Sequence, residues 1–233
     1  MRSGVPVALG VVLSFLSYAC SAERSAARVD EASPLTSQAD SREALAALPT
    51  VGRSHGESHY RREFFGHSWH DVDGNGCNQR DDVLLRDALP GTVRSVRQGG
   101  CSHDVLAGTW VDPYTGVSLV FANLKEPAQA QAIQIDHVVP LAEAWVSGAS
   151  AWDDERRERF ANDLDSLLAV DGPTNASKGS HDPAAWRPKQ DFQCDYAVRW
   201  IAVKAEWRLG VDPSERRALS EMLEACGSST PSG

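Results

Sequence analysis

The clearest pattern of apolar and polar positions lies between Ile133 and His137. Apolar and polar residues alternate there, which predicts a β-strand that ends in Asp136 and His137. A second apolar run, Leu167–Val170, predicts another strand. The Gly172-Pro173 turn follows it, and the polar segment after that turn predicts a short helix. The chain therefore predicts a strand–strand–helix unit with polar side chains where the first strand ends.

Further elements are predicted on both sides of this unit. Helical spacing of apolar residues predicts helices over Asn78–Leu89, Phe192–Leu209 and Asp212–Cys226, and Val117–Phe121 predicts a strand. The charged segment Trp145–Phe160 is partly helical in pattern and lies between the two strands of the unit. The predicted fold class is α+β, with a ββα core, an inserted helix between its strands and flanking helices.

Composition divides the chain into four parts. Residues 1–20 combine Arg2, an apolar stretch and small residues, which is typical of a signal peptide or a lipoprotein leader. We favour plain secretion, and acylation of Cys20 to give a lipid anchor is the alternative. Residues 21–58 predict a flexible tether, residues 59–226 one domain, and residues 227–233 a disordered tail.

Four cysteines remain when Cys20 is set aside, and four allow three pairings. We favour Cys77 with Cys101 and Cys194 with Cys226, because each pair lies within one local block. A zinc site is the rival interpretation, and the lack of a Cys-x-x-Cys spacing argues against it. Disulfides agree with an exported protein.

The polar residues of the strand–strand–helix unit suit phosphodiester hydrolysis. Asp136 and Asn175 offer hard oxygen ligands for Mg²⁺ or Mn²⁺, and His137 titrates near working pH and can act as general base. Lys178 lies three residues after Asn175 on the predicted helix, where we expect it to contact phosphate. On residue types alone, a capped surface turn explains the Asp-His pair about as well.

The chain resembles secreted HNH endonucleases related to the C-terminal domain of the GmrSD restriction enzymes, which are ββα-metal nucleases. The resemblance covers roughly residues 42–226. It rests on the blocks Tyr60-Arg61-Arg62, Phe65-Gly66, Trp69–Cys77, Asp112–Gly116, Ile135–Leu141, Ala144-Trp145, Gly148-Ala149, Leu167–Asn175, Lys178-Gly179 and Ile201–Lys204.

The resemblance implies a single-metal nuclease that leaves a 5′ phosphate, with Arg80 near the active site as a phosphate contact. Ser166 stands where such proteins usually carry an Asn that braces the loop around the base His, and a serine can still bond the backbone. Gly179 stands where a further His would complete an all-His zinc or nickel site, which argues against that site. We expect nearby His181 to lie at the surface or to contact phosphate.

The segment after Trp69 has the spacing of a calcium loop. Asp71, Asp73 and Asn75 occupy its first, third and fifth positions, although Asp82 replaces the usual Glu at the twelfth. We favour a hydrogen-bonded turn locked by the neighbouring disulfide, and a structural Ca²⁺ site is the alternative.

The net charge of the chain argues against some classes of nucleic-acid-binding protein. The net charge of −9 argues against a tight, sequence-independent nucleic-acid binder. The segment from residue 172 to 208, however, contains six Lys or Arg and four Asp or Glu, so its local net charge is positive. We therefore expect a monomeric, secreted, weakly specific endonuclease acting on DNA, with RNA as a second substrate. The alternative is a calcium-stabilised cell-surface binding module with weak or no catalysis.

Overall fold

The computed structural model describes Met1 and residues 38–52, 59–224 and 226. Contacts divide the chain into Met1–Ala32 and Ser33–Gly233, and every element below belongs to the second unit. Apart from Met1, the expected leader with Cys20 lies outside the described residues, as does the expected tail of residues 227–233. No helix within the described ranges is long and apolar enough to cross a membrane.

The described elements mix helices and short strands, which confirms the predicted α+β class. The helices are α1 (Gln38–Ala47), α2 (Gln79–Asp87), α3 (Pro127–Ala132), α4 (Leu141–Val146), α5 (Asp154–Ala161), α6 (Gly172–Lys178), α7 (Gln190–Glu206) and α8 (Pro213–Glu224). The strands are β1 (Arg94–Gln98), β2 (Cys101–Val111), β3 (Ser118–Phe121), β4 (Ile133–His137) and β5 (Leu167–Asp171). Short 3-10 helices lie at Arg62–Phe65, Ala149–Ala151 and Leu164–Ser166.

The strands form two separate antiparallel sheets. One has the order β1-β2-β3, and the other is the pair β4-β5, in which Asp136 lies opposite Leu168 and His137 opposite Leu167. α6 follows β5 directly, so the predicted strand–strand–helix topology is confirmed. The predicted inserted helix is two helices, α4 and α5, because the chain turns at Gly148, whose φ is 136°.

The β4-β5 pair is buried on both faces. Ile133, Ile135, Leu167 and Ala169 pack into a cluster with α2 and β2, whereas Leu168 and Val170 pack into a larger cluster with α4, α5, α7 and α8. Neighbouring residues of one strand thus pack into different clusters, because successive side chains of a β-strand point to opposite faces of the sheet. The end of β4 is therefore held rigidly between two packed layers.

The chain before residue 59 is partly folded, unlike the expected flexible tether. α1 packs against α7 and α8, and Leu45 and Leu48 are buried in the larger cluster. Arg216 Nη2 donates to the Leu48 carbonyl at 2.7 Å, which fixes the end of this helix. This packing was not predicted, because Leu45 is the one large apolar residue of α1 and its other residues are alanine or polar.

Two disulfides join the predicted cysteine pairs. Cys77 is bonded to Cys101 at the start of β2, and Cys194 of α7 is bonded to Cys226 after α8. The paired cysteines are 24 and 32 residues apart in sequence. On the chain-entropy model, each bond stabilises the fold by about 3 kcal/mol.

Candidate active site

The strand–strand–helix unit brings the end of β4 beside α6. The Asp171 carboxylate caps α6, because its Oδ2 accepts bonds from Thr174 N at 2.9 Å and Thr174 Oγ1 at 2.7 Å. Gly172 allows the helix to approach the preceding chain, since a Cβ there would lie 2.4 Å from the Gln131 carbonyl oxygen. This close approach places Asn175 next to β4.

A cleft of about 470 Å³ opens at this point. We call it the central cleft. Its polar and aromatic lining consists of Tyr60, Arg62, Trp69, Arg80, Gln134, Asp136, His137, Asn175 and Ser180. Four residues singled out from the sequence, Asp136, His137, Asn175 and Arg80, therefore meet in one cavity.

His137 is a buried, neutral imidazole. Its Nε2–H donates to the Ala161 carbonyl at 2.8 Å, which fixes the tautomer and leaves the lone pair on Nδ1. Burial lowers the pKa of His137 to about 4, against the raising effect of the Ala161 carbonyl, and the charges of Arg62 and Lys178 lower it further. The imidazole is thus uncharged at neutral pH and able to accept a proton.

Asp136 sits in a buried network beneath His137. Tyr114 Oη donates to its Oδ2 at 2.5 Å, and Lys178 Nζ lies 3.0 Å from Oδ1 and 2.8 Å from Oδ2. Burial, together with the charge of Asp136, raises the pKa of Tyr114 well above its ordinary value, so the phenol stays a donor. The carboxylate is therefore oriented from two sides before any ligand arrives.

Lys178 does not have the place expected of a phosphate contact. Its side chain is 0% exposed, does not line the central cleft, and its Nζ also donates to the His137 carbonyl at 2.9 Å. Burial lowers its pKa, and the neighbouring Asp136 carboxylate opposes that shift. A lysine in this position neutralises Asp136 and ties α6 to β4, because a buried charge requires a partner.

The oxygen donors at the cleft fit a hard divalent cation. Asn175 Nδ2 donates to Gln134 Oε1 at 2.9 Å, so Asn175 Oδ1 is the amide atom left to coordinate. Asp136 Oδ1 accepts one bond among the described residues and keeps a further lone pair. Oxygen ligands of this kind suit Mg²⁺ or Mn²⁺. The positive charge of the Lys178 ammonium, which is already paired with Asp136, opposes the binding of a metal ion to that carboxylate.

Cationic and aromatic side chains also line the cleft. Arg80 Nη2 donates to the carbonyls of Ala130 at 3.0 Å and Ile133 at 3.1 Å, which holds the guanidinium at the cleft. Arg62 is exposed and close enough to His137 to lower its pKa. Trp69 also lines the cleft and has a positive φ of 64°, which is costly for a side chain of this size.

The loop that holds the His137 ring is braced differently from the expected pattern. Ser166 is buried, its Oγ donates to Asp163 Oδ2 at 2.6 Å, and its carbonyl accepts from Val138 N at 2.9 Å. Next to Ala161, the buried Asn162 accepts from His70 N at 3.0 Å through Oδ1. Ser166 and Asn162 together therefore support the segment whose carbonyl orients His137.

Two other residue sets lie outside the central cleft. His181 is exposed and absent from the cleft lining. The loop of Asp71, Asp73 and Asn75 contains a hydrogen-bonded turn, in which Asp71 Oδ1 accepts from Gly74 N at 2.8 Å.

Sequence reasoning missed the roles of Tyr114, Arg62, Tyr60 and Trp69. Tyr114 reaches Asp136 because the turn before β3 docks on the end of β5, where Asp112 Oδ1 accepts from Asp171 N at 3.1 Å. These residues stand in blocks that carry the family resemblance, which was the available signal. Their distance along the chain from His137 hid the contacts.

Comparison with known proteins gives a consistent result. The family model for the C-terminal domain of GmrSD restriction endonucleases matches residues 78–222. An uncharacterized secreted protein of Arthroderma benhamiae is 39% identical over 170 residues, which span 72% of this chain and 76% of that protein. No solved structure matches the chain.

Proposed function

This chain belongs to the family of GmrSD restriction endonuclease C-terminal domains, and on that basis we propose that it is a secreted, metal-dependent endonuclease of the HNH type. Its substrate is DNA, with RNA as a second substrate, and it acts as a monomer with little sequence specificity. The observation that carries the proposal is His137, a buried neutral imidazole whose Nε2–H is committed to the Ala161 carbonyl beside oxygen donors in an open cleft. The two disulfides and the name of the secreted relative support export.

The roles follow from the contacts. Nδ1 of His137 takes the proton from the attacking water, while the Ala161 carbonyl holds the Nε2–H and stabilises the charge that forms. Asp136 and Asn175 would hold one Mg²⁺ or Mn²⁺, which would polarise the phosphate and neutralise the leaving oxygen. Arg62 and Arg80 bind the phosphate, because both cations line the cleft that contains His137.

Lys178 has a positioning role in this scheme instead of a phosphate-binding one. Its ammonium reduces the charge of Asp136 and so limits the affinity of the cleft for a cation. The site would then hold a metal ion mainly when a substrate phosphate adds its own negative charge. Binding of metal and substrate would therefore be coupled.

Digestion of plasmid DNA and single-stranded RNA by the oxidised protein tests the proposal, with Mg²⁺, Mn²⁺ or EDTA. We expect cleavage that requires metal and that falls by about 10² to 10⁴-fold in His137→Ala. Arg62→Gln should weaken cleavage, whereas Arg94→Gln, an exposed arginine on β1, is the matched control and should not.

The outcome against the proposal is a folded, disulfide-bonded protein that cleaves neither substrate with either metal. That result would favour a binding module of the same fold. Equal activity in His137→Ala and the wild type would instead remove His137 from the mechanism.

A further inference from the structure

Trp69 differs from the other tryptophans in having no aromatic neighbour among the described residues. The chain contains seven tryptophans, and each of the other six packs against at least one aromatic ring. Trp69 is half-buried, because it packs against the smaller apolar cluster with α2 and β2 and also lines the central cleft. Aromatic surface that the described fold does not cover is therefore open to a ligand in the cleft.

Hydrogen bonds to one buried side chain hold the backbone on both sides of Trp69. Asn162 Nδ2 donates to the His67 carbonyl at 3.3 Å, and Asn162 Oδ1 accepts from His70 N at 3.0 Å. Trp69 lies between these two bonds with a φ of 64°, a conformation that costs free energy for a residue of this size. The surrounding structure therefore imposes the position of this ring, as is common at ligand sites.

The same segment of the chain fixes Trp69 and His137 relative to each other. Ala161, which precedes Asn162, provides the carbonyl that accepts from His137 Nε2 at 2.8 Å. Trp69 and His137 line the central cleft together, and they also line a smaller recess together with Ala161. A nucleotide whose phosphate lies at His137 would therefore have a neighbouring base beside Trp69.

The charge of the protein favours a contact of this kind. Arg62 and Arg80 line the cleft beside Trp69 and can contact phosphate, but the chain as a whole carries a net charge of −9. That net charge opposes binding through the phosphates alone. Stacking of a base on an aromatic ring adds affinity and tolerates any base sequence. An aromatic ring beside cations that contact the backbone is the combination found in sites for single strands.

We propose that Trp69 stacks on an unpaired base next to the scissile phosphate, so that the central cleft takes single-stranded stretches of nucleic acid. The inference rests on the nuclease function proposed above and names the substrate class of that site. In a duplex, neighbouring base pairs cover both faces of an internal base, so the ring reaches it only after it has left the stack. The cleft volume of about 470 Å³ lies in the range of small-ligand sites, which fits one nucleotide unit.

Binding measured in EDTA tests the stacking contact without cleavage. Fluorescence anisotropy of the oxidised protein would use a labelled single-stranded DNA oligonucleotide, the duplex of the same sequence, and a strand of the same length made of abasic sites. We expect the wild type to bind the single strand about 5 to 100-fold more tightly than the abasic strand, because only the former offers bases to the ring. The duplex should also bind more weakly than the single strand.

Variants assign the contact to Trp69. Trp69→Leu should weaken binding of the single strand by a similar factor, and Trp69→Phe, which keeps an aromatic face, should recover most of the affinity. Trp152→Leu is the matched control, because Trp152 is also half-buried but lies outside the cleft lining, and it should bind as the wild type does. The loss in Trp69→Leu should persist from about 50 to about 200 mM salt, whereas the loss in Arg62→Gln should shrink.

A wild type that binds the single strand no more tightly than the abasic strand would overturn the proposal, and this comparison needs no variant. A folded Trp69→Leu protein with the wild-type affinity for the single strand would overturn it as well. The digestion assay described above decides the nuclease function separately. Cleavage without any effect of Trp69 would keep the nuclease and remove the stacking contact. Binding that depends on Trp69 without cleavage would keep the stacking contact and remove the nuclease.

Discussion

The buried neutral state of His137 makes stability depend on pH in a defined direction. Its folded pKa is about 4, whereas the ordinary value is 6.5, so the unfolded chain binds the proton first as the pH falls. The contribution of the neutral imidazole is complete above pH 6.5 and is lost as the pH falls towards 4. Acid should therefore selectively weaken the wild type relative to a variant with no titratable group at this position.

The size of the effect follows from the two pKa values. The full difference between the two pKa values corresponds to a loss of about 3 kcal/mol in the free energy of unfolding, which is reached below pH 4. Between pH 7.5 and pH 5.0, the linkage relation gives a loss of about 2 kcal/mol from His137 alone.

Urea denaturation at these two pH values, in EDTA, measures the effect in the wild type and in His137→Gln. The glutamine is neutral and can still donate to the Ala161 carbonyl. The comparison with the variant is necessary because Glu215 changes the stability of both proteins with pH in the opposite direction. Burial raises the pKa of Glu215 to about 7, against the lowering effect of Lys204, so its contribution is present below pH 4.5 and is lost as the pH rises through 7.

The decisive quantity is the difference in the free energy of unfolding between the wild type and His137→Gln, and how that difference changes with pH. We expect this difference to move by about 2 kcal/mol in favour of His137→Gln on going to pH 5.0. A difference that stays constant within about 0.5 kcal/mol would refute the buried, neutral base.

Two further predictions concern the same unit. Lys178→Met should lower the free energy of unfolding in EDTA by about 3 to 5 kcal/mol, because Asp136 would stay buried without its cation. Lys189→Met, at an exposed lysine, should change it by less than about 0.5 kcal/mol, and equal losses in urea denaturation would contradict the ion-pair argument. Gly172→Ala should cost about 1 to 3 kcal/mol, because its Cβ meets the Gln131 carbonyl oxygen at 2.4 Å. Gly52→Ala has open space and is the control, and a Gly172→Ala protein with wild-type Tm would contradict the close approach.

Local patterns predicted the central unit and the disulfides. β4 and β5 were predicted because alternation and apolar runs reflect burial directly, and each cysteine pair was close in sequence. β1 was missed because all five of its residues are exposed, so it has no apolar pattern. β1 is a strand because its backbone pairs with β2, and the sequence of β1 alone contains no signal of that pairing.

The environment of Lys178 could not be predicted for a different reason. Lysine is almost never fully buried, so its position on a polar helix suggested contact with solvent or phosphate. Its burial depends on the packing of the last turn of α6 against β4 and on the carboxylate of Asp136. Sequence spacing shows which face a residue takes, and tertiary packing decides what that face meets.

The ion pair between Asp136 and Lys178 constrains how this chain can evolve. Replacement of either residue alone leaves a buried charge without a partner, so a lineage would have to pass through an unstable intermediate. The two positions should therefore change together or remain fixed together, although they are 42 residues apart in sequence. Relatives that have lost the carboxylate should have replaced the lysine as well, which offers a way to recognise relatives in which this pair has been lost.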